Sequence, residues 1–276
     1  MFPRFRTIAA VISSRVLVSS FASLLFVSGL TSCGSGDSGG GGGAPKPAAP
    51  DGGGGGGGEA EPPPPAPKGP PGKVALTVKY EGAVPERKAL DHGTEEFCKD
   101  KIFDDSLVVD AGTKGLKNAV LRIEKVRAPR KKGDITITNR NCAFEPRVQV
   151  AVRGMKVGLA NDDEVTHNTN ARFDSATFVN QALGKNTKEE PLRPLNKLGV
   201  MKIKCDVHSW MTGYVVVSDN PFIGVSDEKG TLTLDEVPPG TYPYTLWHES
   251  LGEKKGEVTV VSGETAKLDV SFAAKN

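Results

Sequence analysis

Met201-Lys202-Ile203-Lys204-Cys205-Asp206-Val207-His208-Ser209-Trp210-Met211-Thr212-Gly213-Tyr214-Val215-Val216-Val217 reads as a strand, a short loop and a second strand. In the first strand Met201, Ile203 and Cys205 alternate with Lys202 and Lys204. A period of two puts the apolar pair and the thiol on one face and the lysines on the other. The thiol therefore stands at the end of a buried strand. The loop that follows has the spacing C-x-x-H-x-x-M, which gathers a thiolate, an imidazole and a thioether in one tight segment.

A fourth donor has to come from elsewhere in the chain. The sequence has four histidines: His92, His167, His208 and His248. His167 lies in Asn161-Asp162-Asp163-Glu164-Val165-Thr166-His167-Asn168, just after an alternating stretch containing Val157 and Leu159, so it too sits at a strand end. His167, Cys205, His208 and Met211 form a trigonal set with a weak axial thioether, the set that suits one copper ion cycling between Cu(II) and Cu(I). Zinc is the chemical rival, but methionine is a poor zinc ligand. A binuclear copper site would need a second loop cysteine.

The rest of the chain from Lys73 onward is also patterned as strands. Val74, Leu76 and Val78 alternate with polar or small residues, and Val148, Val150 and Val152 alternate with Arg147, Gln149 and Arg153. Leu107 to Val109, Ala119 to Ile123, Ile135 to Thr138, Tyr242 to Trp247, Val258 to Val261 and Leu268 to Phe272 read the same way. Turn residues at Gly154, Asn220-Pro221, Gly230, Pro238-Pro239-Gly240 and Gly263 separate many of them. Only 174–190 could hold a short irregular or helical piece. Many short strands with turn punctuation predict an all-β sandwich class.

The amino-terminal part is of a different kind. Arg4, Arg6 and Arg15 precede an apolar stretch, Val16 to Leu30, that is short for a membrane-spanning helix. It ends in Leu30-Thr31-Ser32-Cys33-Gly34, which resembles the lipobox of bacterial lipoproteins. That resemblance implies a signal peptide over 1–32 and lipidation of Cys33. Residues 33–72 carry glycine runs and the proline run Pro62 to Pro65, with no large apolar side chain to build a core. They read as a disordered tether.

Of the four cysteines, Cys33 goes to lipid and Cys205 to the metal loop, which leaves Cys98 and Cys142. An exported chain meets oxidising conditions, so a Cys98–Cys142 disulfide is expected, worth roughly 4 kcal/mol in the chain-entropy account. No C-x-x-C-H occurs, which excludes covalent haem. The formal net charge of +2 argues against nucleic-acid binding. The one dense basic stretch, Arg122 to Lys132, is a solvated segment or a docking patch for an acidic partner. No nucleophile motif supports hydrolase chemistry, so an enzyme is not expected.

Residues from about 133 to 218 resemble the cupredoxin family, with a ligand loop similar to that of amicyanin. Phe144-Glu145-Pro146, the valine strand, a glycine, the segment ending in His167-Asn168 and the Cys205–Met211 loop occur in the family's order. The resemblance implies a Greek-key β-sandwich over 126–219 with copper held by His167, Cys205, His208 and Met211. It also implies that His208 is the outer, partly exposed ligand. The carboxyl-terminal stretch, with V-P-P-G-T-Y at 237–242, resembles the transthyretin-like, carboxypeptidase regulatory-like sandwich. Lys73 to Pro85 and Lys117-Asn118-Ala119-Val120 resemble its first half, so 73–125 and 220–276 are expected to build one such sandwich around the inserted cupredoxin; the alternative is that 73–125 belongs to the cupredoxin and the tail is a truncated module. His248 falls in this unit as a structural residue. Trp210 is either a packing residue or an apolar rim for partner docking.

The expected function is electron transfer in the cell envelope, from a lipid-anchored protein facing the periplasm or the cell exterior. Its partner would be a redox protein such as a c-type cytochrome or a periplasmic dehydrogenase. The alternative is a copper-binding envelope lipoprotein for storage, sensing or structure, without a redox partner.

Overall fold

Strand β1, Gly72–Glu81, shows how the alternation becomes structure: Val74, Leu76, Val78 and Tyr80 are buried while Lys73, Lys79 and Glu81 face water. A computed structural model of the chain describes residues 69–100, 102–129 and 133–274, all within one unit, Glu61–Asn276. The signal peptide expected over 1–32, Cys33, the tether as far as Lys68, and Arg130, Lys131 and Lys132 lie outside the described residues.

The remaining strands follow in chain order. They are β2 (Val120–Ile123), β3 (Asp134–Arg140), β4 (Ala143–Glu145), β5 (Val148–Val152), β6 (Lys156–Asn161), β7 (His167–Phe173) and β8 (Ala176–Leu183). After them come β9 (Thr187–Pro194), β10 (Gly199–Lys204), β11 (Thr212–Ser218) and β12 (Ile223–Val225). The last four are β13 (Thr231–Val237), β14 (Gly240–His248), β15 (Gly252–Val260) and β16 (Thr265–Ala273). The protein is all-β, and a three-residue 3-10 turn at Glu96–Cys98 is the one helical element among the described residues.

The strands form four sheets. Two of them, ordered β5-β11-β10-β7-β8 and β4-β3-β6-β9, face each other over a core that includes Ile137, Leu159, Phe173, Met201, Ile203 and Val215. The other two, β13-β1-β16 and β12-β2-β14-β15, enclose a second core with Leu76, Leu121, Ile123, Leu246 and Val260. β1 runs parallel to β16 and antiparallel to β13, and β2 lies between β12 and β14. Strands from 72–123 and 223–273 thus share one sandwich, and 134–218 form the other.

A third cluster joins the two. Val148, Val150, Tyr214 and Val216 pack on Val120, Ile223, Val225 and Trp247. This explains why β11 reads as an unbroken apolar run. Val215 and Val217 fill its own sandwich while Tyr214 and Val216 meet the other, so both faces are covered. Beside this seam the Arg147 guanidinium donates to both oxygens of Glu249, at 2.6 and 2.7 Å.

Two local expectations are corrected. The stretch 174–190 holds no helix; it supplies β8, paired along β7, and the start of β9. β8 is an edge strand with exposed positions on both faces, so no apolar alternation marked it. Leu107 to Val109 is not a strand but a loop held by the single bridge Val109 to Leu116.

Candidate metal centre

β10 delivers Cys205 as its alternation requires. Met201 and Ile203 are buried, Lys202 and Lys204 are exposed, and the Cys205 side chain enters the same core. The loop to β11 is closed by two backbone bonds: Met211 N–H donates to His208 O at 3.1 Å, and Cys205 N–H to Met211 O at 3.3 Å. His167 opens β7, which pairs with β10 through Asn170 and Lys204, so its ring arrives beside the loop.

Donor atoms of His167, Cys205 and His208 lie within 4.8 Å of one another, and all three residues are buried. The two Nδ1 atoms are 2.9 Å apart, and Cys205 Sγ is 3.8 Å from His208 Nδ1. Met211, 1% exposed, packs in the same core as Cys205. Each residue expected as a ligand is therefore at this end of the sandwich, with three donors convergent and the thioether buried in the loop that carries two of them. Cys142, Asp163 and His167 also cluster, but Cys142 is bonded to Cys98 and has no thiolate to offer.

The disulfide pairs Cys98 with Cys142, with Cα atoms 5.6 Å apart. It staples the segment before β2 onto the metal end of the neighbouring sandwich, where Leu90, Phe97 and Ile102 pack with Cys142 and Trp210. This corrects the expectation for His208. It is buried, at 5% exposed, rather than partly exposed, and Glu95 of the stapled segment brings Oε2 to 4.0 Å from its Nε2. Trp210 is half-buried; its ring stacks on His208 at 4.9 Å and its Nε1–H donates to Cys142 O at 3.1 Å.

The ionisation of the site follows from these contacts. Burial pulls the His167 imidazole down, but its hydrogen bonds and attraction to Asp163 and Cys205 outweigh this and raise its pKa to about 9. Burial pushes the Cys205 thiol up. Its hydrogen bond with His167 and the N–H groups of Asn168, His208 and Val207 more than offset that and hold it below the usual thiol value. His208 is lowered by burial and by the neighbouring His167 charge. Without metal these contacts favour a protonated His167 and a neutral His208, and they ease deprotonation of Cys205. His208 is then in the form that ligates a metal, while His167 and the Cys205 thiol give up protons on binding.

Among solved structures, the chain is similar to a novel purple cupredoxin from Nitrosopumilus maritimus, at 25% identity and a TM-score of 0.27, over 31% of this chain and 99% of that one. It is similar to the reduced state of an amicyanin mutant at 20% identity and a TM-score of 0.28, over 31% of this chain and 82% of that one. It is also similar to the copper-containing nitrite reductase (NirK) from Thermus scotoductus SA-01, at 21% identity and a TM-score of 0.28. That match covers 31% of this chain, which spans only 22% of the reductase. No protein-family model matches the chain, and no curated protein does.

Several residues around the centre carry no sequence signal of their own. Asp163, 3% exposed, places Oδ2 2.8 Å from His167 Nε2, on the far side of the ring from the other donors. Asn168 N–H donates to Cys205 Sγ at 3.3 Å, and its side-chain oxygen accepts from Asp206 N–H at 3.2 Å, tying the two ligand segments together. Asn161 uses its side-chain NH2 to hold the carbonyls of Val165, Leu183 and Gly184, which fixes the turn leading to His167. Asparagine and aspartate are so common in loops that nothing in their spacing separates these roles from ordinary turn chemistry.

Proposed function

We propose that His167, Cys205, His208 and Met211 hold one copper ion and that the protein carries electrons in the cell envelope. The observation that carries this reading is the convergence of two imidazoles and a thiolate within 4.8 Å in a buried site. The donor chemistry fits copper. A thiolate and a thioether favour Cu(I), imidazoles accommodate both oxidation states, and a buried methionine would be an odd partner for zinc. When bound, such an ion supplies a one-electron couple. The protein's part is to hold the donors in place, exclude water and keep Cys205 deprotonated. No catalytic role is proposed.

The same reading extends to place and partner. Cys33 would anchor the chain to a bilayer surface, in the periplasm or facing the exterior, and the glycine- and proline-rich tether would hold the folded part away from it. The partner would be a redox protein such as a c-type cytochrome or a periplasmic dehydrogenase, approaching past Trp210 or the exposed Val207 next to His208. Absorption and electron-paramagnetic spectra of the Cu(II)-loaded protein, followed by stopped-flow reduction with a cytochrome, test the proposal. An intense thiolate-to-copper band with fast electron exchange is expected, and a colourless protein with confirmed copper occupancy would overturn it.

One observation favours the second reading, a copper-holding lipoprotein without a redox partner. His208 is only 5% exposed, and Glu95 of the stapled segment comes to 4.0 Å from its Nε2. A blue protein that exchanges electrons slowly with every small cytochrome tried would support that alternative.

A further inference from the structure

Asp163 is a buried carboxylate aimed at the back of a ligand. Its Oδ1 accepts from Asn141 N–H at 2.8 Å, and its Oδ2 accepts from Cys142 N–H at 2.9 Å while lying 2.8 Å from His167 Nε2. Its own N–H donates to Asn161 Oδ1 at 3.1 Å and its carbonyl accepts from Asn186 N–H at 3.1 Å. Asn141 and Cys142 are the two loop residues between β3 and β4, both left-handed with φ of 52° and 58°. Two successive residues of that kind suit a tight hairpin turn, and here they turn consecutive N–H groups toward one anion. Left-handed backbone is costly for cysteine and persists only where the surroundings over-determine it. The disulfide to Cys98 and the bond to Asp163 do so here. Burying a carboxylate is itself costly unless it is partnered, and here two backbone N–H groups and His167 Nε2 partner both of its oxygens.

We propose that Asp163 is a positioning residue that keeps the His167 ring with Nδ1 toward the metal and stands behind it as a fixed negative charge that lowers the reduction potential of the bound copper. This rests on the copper reading above. Accepting from Nε2–H leaves the Nδ1 lone pair for the metal and makes the ring a stronger donor. Reduction moves one electron from an external one-electron donor to Cu(II), breaks no bond, and removes one positive charge from the site. A nearby buried anion favours the more positive state, so it favours Cu(II), and burial leaves that effect poorly screened by salt. Glu95 makes a useful contrast. It is 4.0 Å from His208 Nε2, too far for a hydrogen bond, and its side chain is 33% exposed.

The test is a redox titration of the copper-loaded full chain against a one-electron iron-complex mediator, in wild type and the Asp163→Asn, Asp163→Glu and Glu95→Gln variants. The Asn variant is expected to stay coloured and to favour reduction at least about tenfold more than wild type, a rise of about 59 mV for one electron. The Glu variant should return part of that change, and Glu95→Gln should produce a smaller one. A coloured Asn variant with an unchanged potential, or a larger shift from Glu95→Gln, overturns the inference. Should the Asn variant lose copper, imidazole nitrogen NMR of the Cu(I)-loaded wild type decides. A slowly exchanging proton on His167 Nε2 supports the assignment, and one exchanging as fast as free imidazole overturns it. A wild type that binds copper without colour defeats the copper reading first, and this inference with it.

Discussion

The Nδ1 atoms of His167 and His208 face each other across 2.9 Å, each ring with its Nε2 turned toward a carboxylate. Without metal, the proton between them stays on His167, whose pKa is raised from 6.5 to about 9. A group whose folded pKa lies above its unfolded value stabilises the fold fully below the unfolded value and ceases to do so above the folded one. Cys205, whose pKa is lowered, adds stability in the opposite sense as pH rises over part of the same range, so the imidazole effect is read in the metal-free Cys205→Ser variant, whose urea midpoint should fall as pH rises from 6.5 toward about 9. Metal uptake must displace the same proton, so copper affinity should rise over that window. A midpoint that is flat or rises across it contradicts the assignment.

Cys205→Ser should remove the intense visible band of the Cu(II) protein, because the band needs a thiolate ligand. The hydroxyl is close in size, so the fold should survive with a similar melting temperature. A variant that keeps the band locates the thiolate elsewhere.

Leu246 is fully buried in the core of the sandwich that does not carry the metal end. Leu246→Ala should cost about 2–5 kcal/mol on denaturant unfolding. The copper spectrum should be unaltered, since the cavity opens in the other core. A changed spectrum with little loss of stability would reverse the division of labour drawn between the sandwiches.

Arg147 and Glu249 tie the two sandwiches by a bidentate pair, with side chains 20% and 4% exposed. Glu249→Ala leaves a guanidinium short of its partner at the seam, and should cost about 2–3 kcal/mol. Replacing both residues by leucine should recover much of the loss. A neutral single variant, measured in the same urea titration, would show that the apolar seam carries the contact unaided.

Cys33→Ala should move the protein from the membrane fraction to the soluble one after high-salt washing, if lipid at Cys33 is the anchor. Mature variant that still pellets with membranes points to another attachment.

The pattern of single strands determined a great deal. The alternation in Met201–Cys205 was enough to aim the thiol inward, and C-x-x-H-x-x-M spacing was enough to group three donors, because a strand end and a short loop allow little else. The all-β class follows from the same local periods, and the disulfide from counting which cysteines had no other use. Tertiary structure decided the rest. Val148 and Val150 read as a buried face, but only assembly decides that this face meets the second sandwich rather than its own core. His208 has Glu95 beside it because a segment far earlier in the chain is tied to this end of the sandwich by Cys98. Asp163 lies only four residues before His167, but its carboxylate is also bonded by two N–H groups of a left-handed turn at Asn141–Cys142, distant in sequence. Local periodicity reports which way a side chain points. What it meets there is set by chain segments whose approach no short window of sequence records.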